Sequence, residues 1–400
     1  MKIFAQDGFG PGDKIDRGLA ESVIEGAVLS ARYRHPGKFE EKADSLLPHD
    51  AELLLDPEFY ASQFIGKPNA KLGTLEEWEY FKAPRRSNLI AGKAVAPVIR
   101  QALISQRDFD HLLSGFVAPN IHIESADSID AAIALNFIGQ TRSIADEVGL
   151  SGKPVFASLV IDRDAIASGT PFNDLLSALT GLDARPDGFY VLVGSGTVDE
   201  DSRRIRSDIY HDHVIAGWML INYVLSINGF KVINGCSDLL SPLLGICGAY
   251  AGASGWSSSL RQFTMGRYIK PPTQGGSAPL IRYVSNGLLA RIKQVDYDNY
   301  REVVSGVENG LESDNYYSGE TTKTEEALQT WDALNRLCND SYSGDVDADL
   351  KSFDTRITQA VALWSQTAGA GLTSGVEAHI DRLAAMRDGI QLFREWAERT

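Results

Sequence analysis

The sequence is poor in cysteine, and the three it has, Cys236, Cys247 and Cys338, form no CxxC pair. An odd thiol count without metal-ligand spacing argues against a disulfide framework and a cysteine zinc site, and it fits a reducing cytoplasm. Long apolar runs are absent too. Nothing approaches the ~18 residues that cross a bilayer, and Met1-Lys2-Ile3-Phe4 lacks the apolar centre of a signal peptide, so no membrane role is expected. Nucleotide and zinc-helix signatures are missing: Gly8-Phe9-Gly10-Pro11-Gly12 has a proline and no third glycine at the GxGxxG position, and there is no P-loop or HExxH zinc helix. Gly194-Ser195-Gly196 is a tight polar turn rather than a GxSxG elbow. Positive charge is scarce overall, with a formal net charge of -15, which argues against binding nucleic acid through the average field. The deficit is uneven, since residues 301–400 hold 18 Asp/Glu against 9 Lys/Arg.

One local absence is more informative than the rest. Between Asp238 and Asp296 there is no Asp or Glu, while Arg261, Arg267, Lys270, Arg282, Arg291 and Lys293 all lie there. In an acidic protein such a gap reads as a surface kept positive for an anion such as phosphate.

What is present is an alternation. Short β-rich runs at 2–6, 27–31, 52–56, 115–119, 155–161, 189–194, 231–235 and 250–255 are separated by helical stretches at 16–25, 39–46, 94–113, 128–148, 171–179, 203–227 and 238–245. Most runs are apolar on both faces, as in parallel strands covered on two sides. Eight such strands predict an α/β fold, a (β/α)8 barrel of TIM type over residues 1–296, with an open doubly wound sheet as the alternative. A long polar and aromatic insert, 58–93, follows the third strand, and a basic loop segment, 257–293, follows the last. Loops of that length at strand ends are often lids or binding loops. Residues 297–400 read as a small acidic helical domain with three apolar stripes: Leu328, Trp331, Leu334 and Leu337; Leu350, Phe353, Ile357, Val361 and Trp364; Val376, Ile380, Leu383, Ile390 and Phe393. Thr322 with Glu325, and Ser374 with Glu377, have capping-box spacing. The stripes suit an intramolecular core, with a protein partner or self-association as the second option.

In a barrel the residues that follow the strands ring one mouth. Asp7, Asp56 and Asp162 end alternate strands, so they are expected to converge as acid, base or nucleophile, or to hold a divalent cation. The bland reading is that each caps a helix or starts a turn. His122 alternates with apolar residues in Asn120-Ile121-His122-Ile123-Glu124 and is a candidate acid/base if it faces the mouth. The loops after the last two strands supply Asn234, Gly235, Ser254, Gly255 and Ser257, then Arg261, with Arg267 and Arg282 downstream. Small residues expose backbone donors and arginines supply forks, so these eight form the expected phosphate site. Tyr210-His211-Asp212-His213 falls in the helical stretch from Arg203, where residues two apart diverge, so a structural role is expected. The functional expectation is an enzyme (lyase, transferase or glycosyl-bond chemistry) on a phosphate- or ribose-phosphate-bearing substrate, a nucleotide or nucleic-acid base among them. The alternative is a non-catalytic nucleic-acid- or protein-binding subunit.

Overall fold

The computed structural model describes residues 1–10, 12–195, 209–270, 280–373 and 375–398. The first half alternates as β1 (Lys2–Gln6), α1 (Lys14–Ala20), β2 (Gly26–Ser30), α2 (Pro36–Leu46), β3 (Glu52–Asp56), α3 (Arg86–Ile90), α4 (Val95–Arg107), β4 (Phe116–Ala118), β5 (His122–Ile123) and α5 (Ile129–Glu147). It continues with β6 (Val155–Asp162), α6 (Arg163–Ile166), α7 (Thr170–Thr180), β7 (Gly188–Gly194), α8 (Asp212–Ile227), β8 (Lys231–Gly235), α9 (Ser241–Ile246) and β9 (Ala251–Ser254). The strands pair in the order β3-β2-β1-β9-β8-β7-β6-β4, with β5 added beside β6, and every pairing in this sheet is parallel.

The first strand therefore lies beside the last, which an open sheet with those strands at its edges would forbid. The two ends of the path, β3 and β4, also meet. The Ser114 N–H donates to Leu53 O at 2.9 Å, and the Leu53 N–H donates to Ser114 Oγ at 3.0 Å. The result is a nearly closed eight-stranded parallel barrel. Its strands are buried along nearly their whole length, all eight residues of β6 among them, which is why they read as unbroken apolar runs.

The segment expected as a basic loop is more ordered than its polarity suggests. Arg282–Ser285 (β10) and Ala290–Lys293 (β11) pair as an antiparallel hairpin, followed by α10 (Gln294–Val303). Three long helices close the chain: α11 (Lys323–Asp340), α12 (Val346–Gly369) and α13 (Val376–Trp396). Thr322 caps α11 with a reciprocal bond from Glu325, as the spacing predicts. The second expected cap, Ser374, and the helix start at Arg203 lie outside the described residues; Gly375 occupies the N-cap of α13, and α8 begins at Asp212. The three apolar stripes are buried within the chain except at Val361 and Ile380, which are half-buried. They pack against α8, α9 and the hairpin, for example Tyr223 edge-on to Phe393 at 5.7 Å, so they are not a free surface for a partner. Trp331 ties α11 to the barrel by donating Nε1–H to Ser254 O at 2.8 Å. The helical region is thus docked directly on the carboxyl end of β9.

Candidate functional site

The centre of the mouth is polar, charged and roofed. Asp7 is fully buried, and both its oxygens accept from Arg34, from Nε and from Nη2 at 2.9 Å. Such a bidentate pair holds the β1 and β2 ends together and leaves Asp7 little capacity for a substrate or metal. Asp56, at the end of β3, accepts from the Glu58 N–H and the Tyr60 hydroxyl, each at 2.9 Å. Two residues on, Glu58 turns its backbone into the left-handed region (φ 48°) and accepts from the Ser30 and Tyr268 hydroxyls. Burial, reinforced by the Glu58 carboxylate, pushes the Asp56 pKa up to about 7.

The roof comes from two segments. Insert aromatics Tyr60, Phe64, Trp78, Tyr80 and Phe81 are buried, and Trp78 Nε1–H reaches the carbonyls of Ala31 and Arg34 at 3.0 Å. Residues 263–270 then cross the mouth. The Ser195 N–H donates to Phe263 O at 3.1 Å on the β7 side, and the Lys71 N–H donates to Tyr268 O at 2.8 Å on the insert side. Arg267 is carried into this centre rather than to the loop after β9. Burial opposes its charge, but Tyr268, Glu58 and Cys236 outweigh that and hold its pKa above the ordinary guanidinium value. Arg32 lies beside it, donating to Arg267 O at 2.7 Å, with its guanidinium 4.7 Å from the Tyr268 ring centre. Burial pushes the Cys236 thiol up to about 12, so it is a neutral packing group rather than a nucleophile.

Beside this centre, His122 and Asp162 come together at the ends of β5 and β6. Nε2 of His122 is 3.6 Å from Asp162 Oδ2, and both side chains are almost fully buried. Burial lowers the His122 pKa to about 4, so the ring is neutral at pH 7, and neither nitrogen has a hydrogen-bond partner among the described residues. Asp162 stands at the N-cap of α6 without capping it. Ser195, at the end of β7, also has a buried hydroxyl without a partner among the described residues. A Cβ at Gly194 would lie 3.5 Å from His122 Nε2 and 3.6 Å from Asp162 Cγ, so this strand end is in contact with both groups.

Several of the residues expected at the phosphate site hold the fold instead. Asn234 is fully buried: its Oδ1 accepts from Trp218 Nε1 at 2.7 Å and from Asn222 at 3.2 Å, and its amide donates to Asn222 Oδ1 at 2.8 Å. Gly235 is small because a Cβ would come within 2.6 Å of the Tyr190 hydroxyl, and Gly255 because one would meet Gln6 O at 2.7 Å. Ser254 Oγ donates to Asp238 at 2.8 Å, and Ser257 pairs with Ser259 at 3.1 Å. Arg261 is drawn in: its fork donates to Gly255 O at 3.0 Å and Trp256 O at 2.8 Å, and lies 3.3 Å from Glu326 of α11. Burial, with nearby Arg291, lowers its pKa to about 10.

A cavity of about 260 Å³ opens at the loops after β7, β8 and β9. Arg261 and Asp238 line its barrel side, Arg282 and Arg291 its hairpin side, and His379 and Arg382 its α13 side. Arg291 donates to Asp238 Oδ1 at 2.7 Å and to Thr330 Oγ1 at 2.8 Å, while its buried Nε has no partner among the described residues. Arg282 has no carboxylate within ion-pair distance among the described residues. His379 stacks on Trp364 with ring centres 4.4 Å apart. Burial and the Arg382 and Arg282 charges lower its pKa to about 4. Arg261 and Arg282 thus share one cleft, and Arg267 does not line it.

No protein-family model matches the chain, and no curated protein matches it either.

The mouth aspartates do not form a three-ligand metal group. Among the described residues, the set whose ligand atoms converge is His211, Asp212 and His213, where Asp212 Oδ1 lies 2.8 and 2.9 Å from the two Nδ1 atoms. This juxtaposition arises because His211 is the extended N-cap of α8 rather than a residue within the helix. Sequence reasoning passed over Glu58, although it stands two residues after Asp56, and passed over His379 and Arg382, whose place depends on how α13 docks.

Proposed function

We propose that this chain is an enzyme of the TIM-barrel type acting on a phosphate-bearing substrate, with His122 and Asp162 as the proton-transfer pair. The observation that carries the reading is the buried, neutral His122 ring with both nitrogens unpartnered beside a carboxylate at the strand ends. Buried polar atoms without partners are rare in folded proteins, and a ligand is one way to complete them. At pH 7 the neutral imidazole is in its proton-accepting form, burial makes its conjugate imidazolium a strong acid that gives the proton up readily, and Asp162 stands 3.6 Å from Nε2. The phosphate half rests on the arginine-lined cleft. The loops after the last two strands of such barrels are a common phosphate site. Gln262 lines the cleft while its neighbour Phe263 accepts from Ser195, so cleft and pair meet at the end of β7. A lyase, a transferase or an enzyme of glycosyl-bond chemistry is compatible with this arrangement.

The test is a thermal-shift screen of sugar phosphates and nucleotides, followed by mass spectrometry for turnover of each binder. Ligand binding raises apparent stability by mass action. His122→Gln and Asp162→Asn are expected to keep the shift and lose turnover; turnover that survives both substitutions defeats the assignment. One observation favours the non-catalytic alternative, a nucleic-acid- or protein-binding subunit. Asp56, Glu58 and Tyr268 are sealed beneath the roof at 0–2 % exposure. A shift with tRNA or DNA, and none with small phosphates, would select that alternative.

A further inference from the structure

We infer that the arginine-lined cleft is selective for a terminal phosphate in its dianionic form, and discriminates against the internal phosphodiester of a nucleic-acid backbone. This rests on the phosphate reading above and goes further by specifying which phosphate.

Apart from Arg382, whose guanidinium lies 5.3 Å from the Tyr210 ring centre, the charged groups that line the cleft among the described residues are Arg261, Arg282, Arg291 and Asp238. Glu326, behind Arg261, is also paired with Lys323. Three positive groups against one negative one leave an excess of two on this described lining. The Arg261 side chain is only 12 % exposed, so this excess is poorly solvated and favours an anion that neutralises it. A phosphomonoester, with a second pKa near ~6, carries about 1.5 to 2 negative charges at pH 7, whereas a diester carries one.

The cleft also has hydrogen-bond donors to spare. The Arg291 Nε–H is buried without a partner among the described residues, and the Arg282 fork meets no carboxylate there. The three terminal oxygens of a monoester can take such donors from several directions; a diester has only two. Among the described residues, three separate elements line the cavity: the barrel loops, the β10–β11 hairpin and α13. Its volume of about 260 Å³ suits one phosphate with a modest organic group. His379 adds a neutral imidazole. Burial first, and then the Arg382 and Arg282 charges, lower its pKa, and an entering dianion would meet those same charges.

The experiment is a ³¹P-NMR titration of the full chain with methyl phosphate and with dimethyl phosphate, from pH 5 to 8, with sulfate tested by competition. Methyl phosphate is expected to bind about tenfold or more tighter than dimethyl phosphate at pH 7.5, the scale of one added charged hydrogen bond. Its affinity should fall between pH 7 and 5 as the dianion takes up a proton, while sulfate, a dianion throughout, should compete equally at both. Arg282→Ala should reduce methyl phosphate binding by about tenfold with an unchanged unfolding midpoint. Equal binding of the mono- and diester, or a sulfate affinity that falls in parallel with that of methyl phosphate, overturns the dianion inference but leaves an anion site standing. No binding of any of the three overturns the phosphate reading itself. An oligonucleotide that binds equally with and without a 5′-phosphate, and loses affinity steeply with salt, overturns both in favour of backbone recognition.

Discussion

Asp56→Asn offers a direct test of the roofed centre, because its effect must change with pH. In the folded chain the Asp56 pKa is raised from an ordinary 3.8 to about 7, first by burial and then by Glu58. In the unfolded chain it returns to the ordinary value. A raised folded pKa means that the neutral acid is the form the fold accepts. Its contribution is fully present below about pH 4 and is lost as pH rises through 7. A shift of about three units at roughly 1.4 kcal/mol each sets the loss near 4 kcal/mol, to order of magnitude. Asparagine has the same shape, keeps an oxygen to accept the Glu58 N–H and cannot ionise. It should therefore match or slightly trail the wild type at pH 4.5 and exceed it at pH 8 by up to about 4 kcal/mol. Urea denaturation of both proteins at pH 4.5, 6, 7 and 8 measures the difference, since titrating groups that do not interact with Asp56 cancel between them. Glu58→Gln removes the neighbouring charge and should weaken the pH dependence at Asp56. If the Asn variant is less stable by the same amount at every pH, Asp56 is ionised and supported in the fold, and the argument from burial is wrong.

Arg261→Ala should destabilise the fold by about 3 kcal/mol, because it leaves the buried Glu326 with Lys323 alone and strips two donors from Gly255 and Trp256. Chemical denaturation checks this, and a change below about 0.5 kcal/mol, the scale of a neutral surface substitution, would show the pair to be incidental. Asn234→Ala should cost about 2–3 kcal/mol by orphaning Trp218 Nε1 and Asn222, while anion affinity, measured under conditions where the variant is folded, stays unchanged. Trp331→Phe should cost about 1 kcal/mol through the lost bond to Ser254 O, read from the unfolding midpoint.

Eight of the strands, to within about one residue, and the helical tail were legible in the sequence, because each follows from local patterning; the two-residue β5 and the β10–β11 hairpin were not. Both-face apolar runs mark covered parallel strands, and a 3.6-residue stripe marks a docked helix. The Thr322 cap was legible for the same reason, since its two bonds span three residues. Of the arginines in the acid-free stretch, Arg261, Arg282 and Arg291 line one cleft, whereas the chain carries Arg267 across the mouth to Glu58 and Tyr268. Charge spacing along a sequence does not record which way a loop crosses a barrel. Asn234, Ser254 and Gly255 had the chemistry of phosphate donors and the surroundings of packing groups, a distinction made by Trp218, Asp238 and Gln6 from distant positions. The pairing of His122 with Asp162 depends on β5 lying in register with the end of β6, with His122 opposite Val160. The cleft depends on α13 docking beside α8, which brings His379 and Arg382 to arginines about a hundred residues earlier. Local pattern selects the elements because propensity and periodicity act within a few residues. Only their packing decides which buried charges face one another, because that depends on where the whole chain closes.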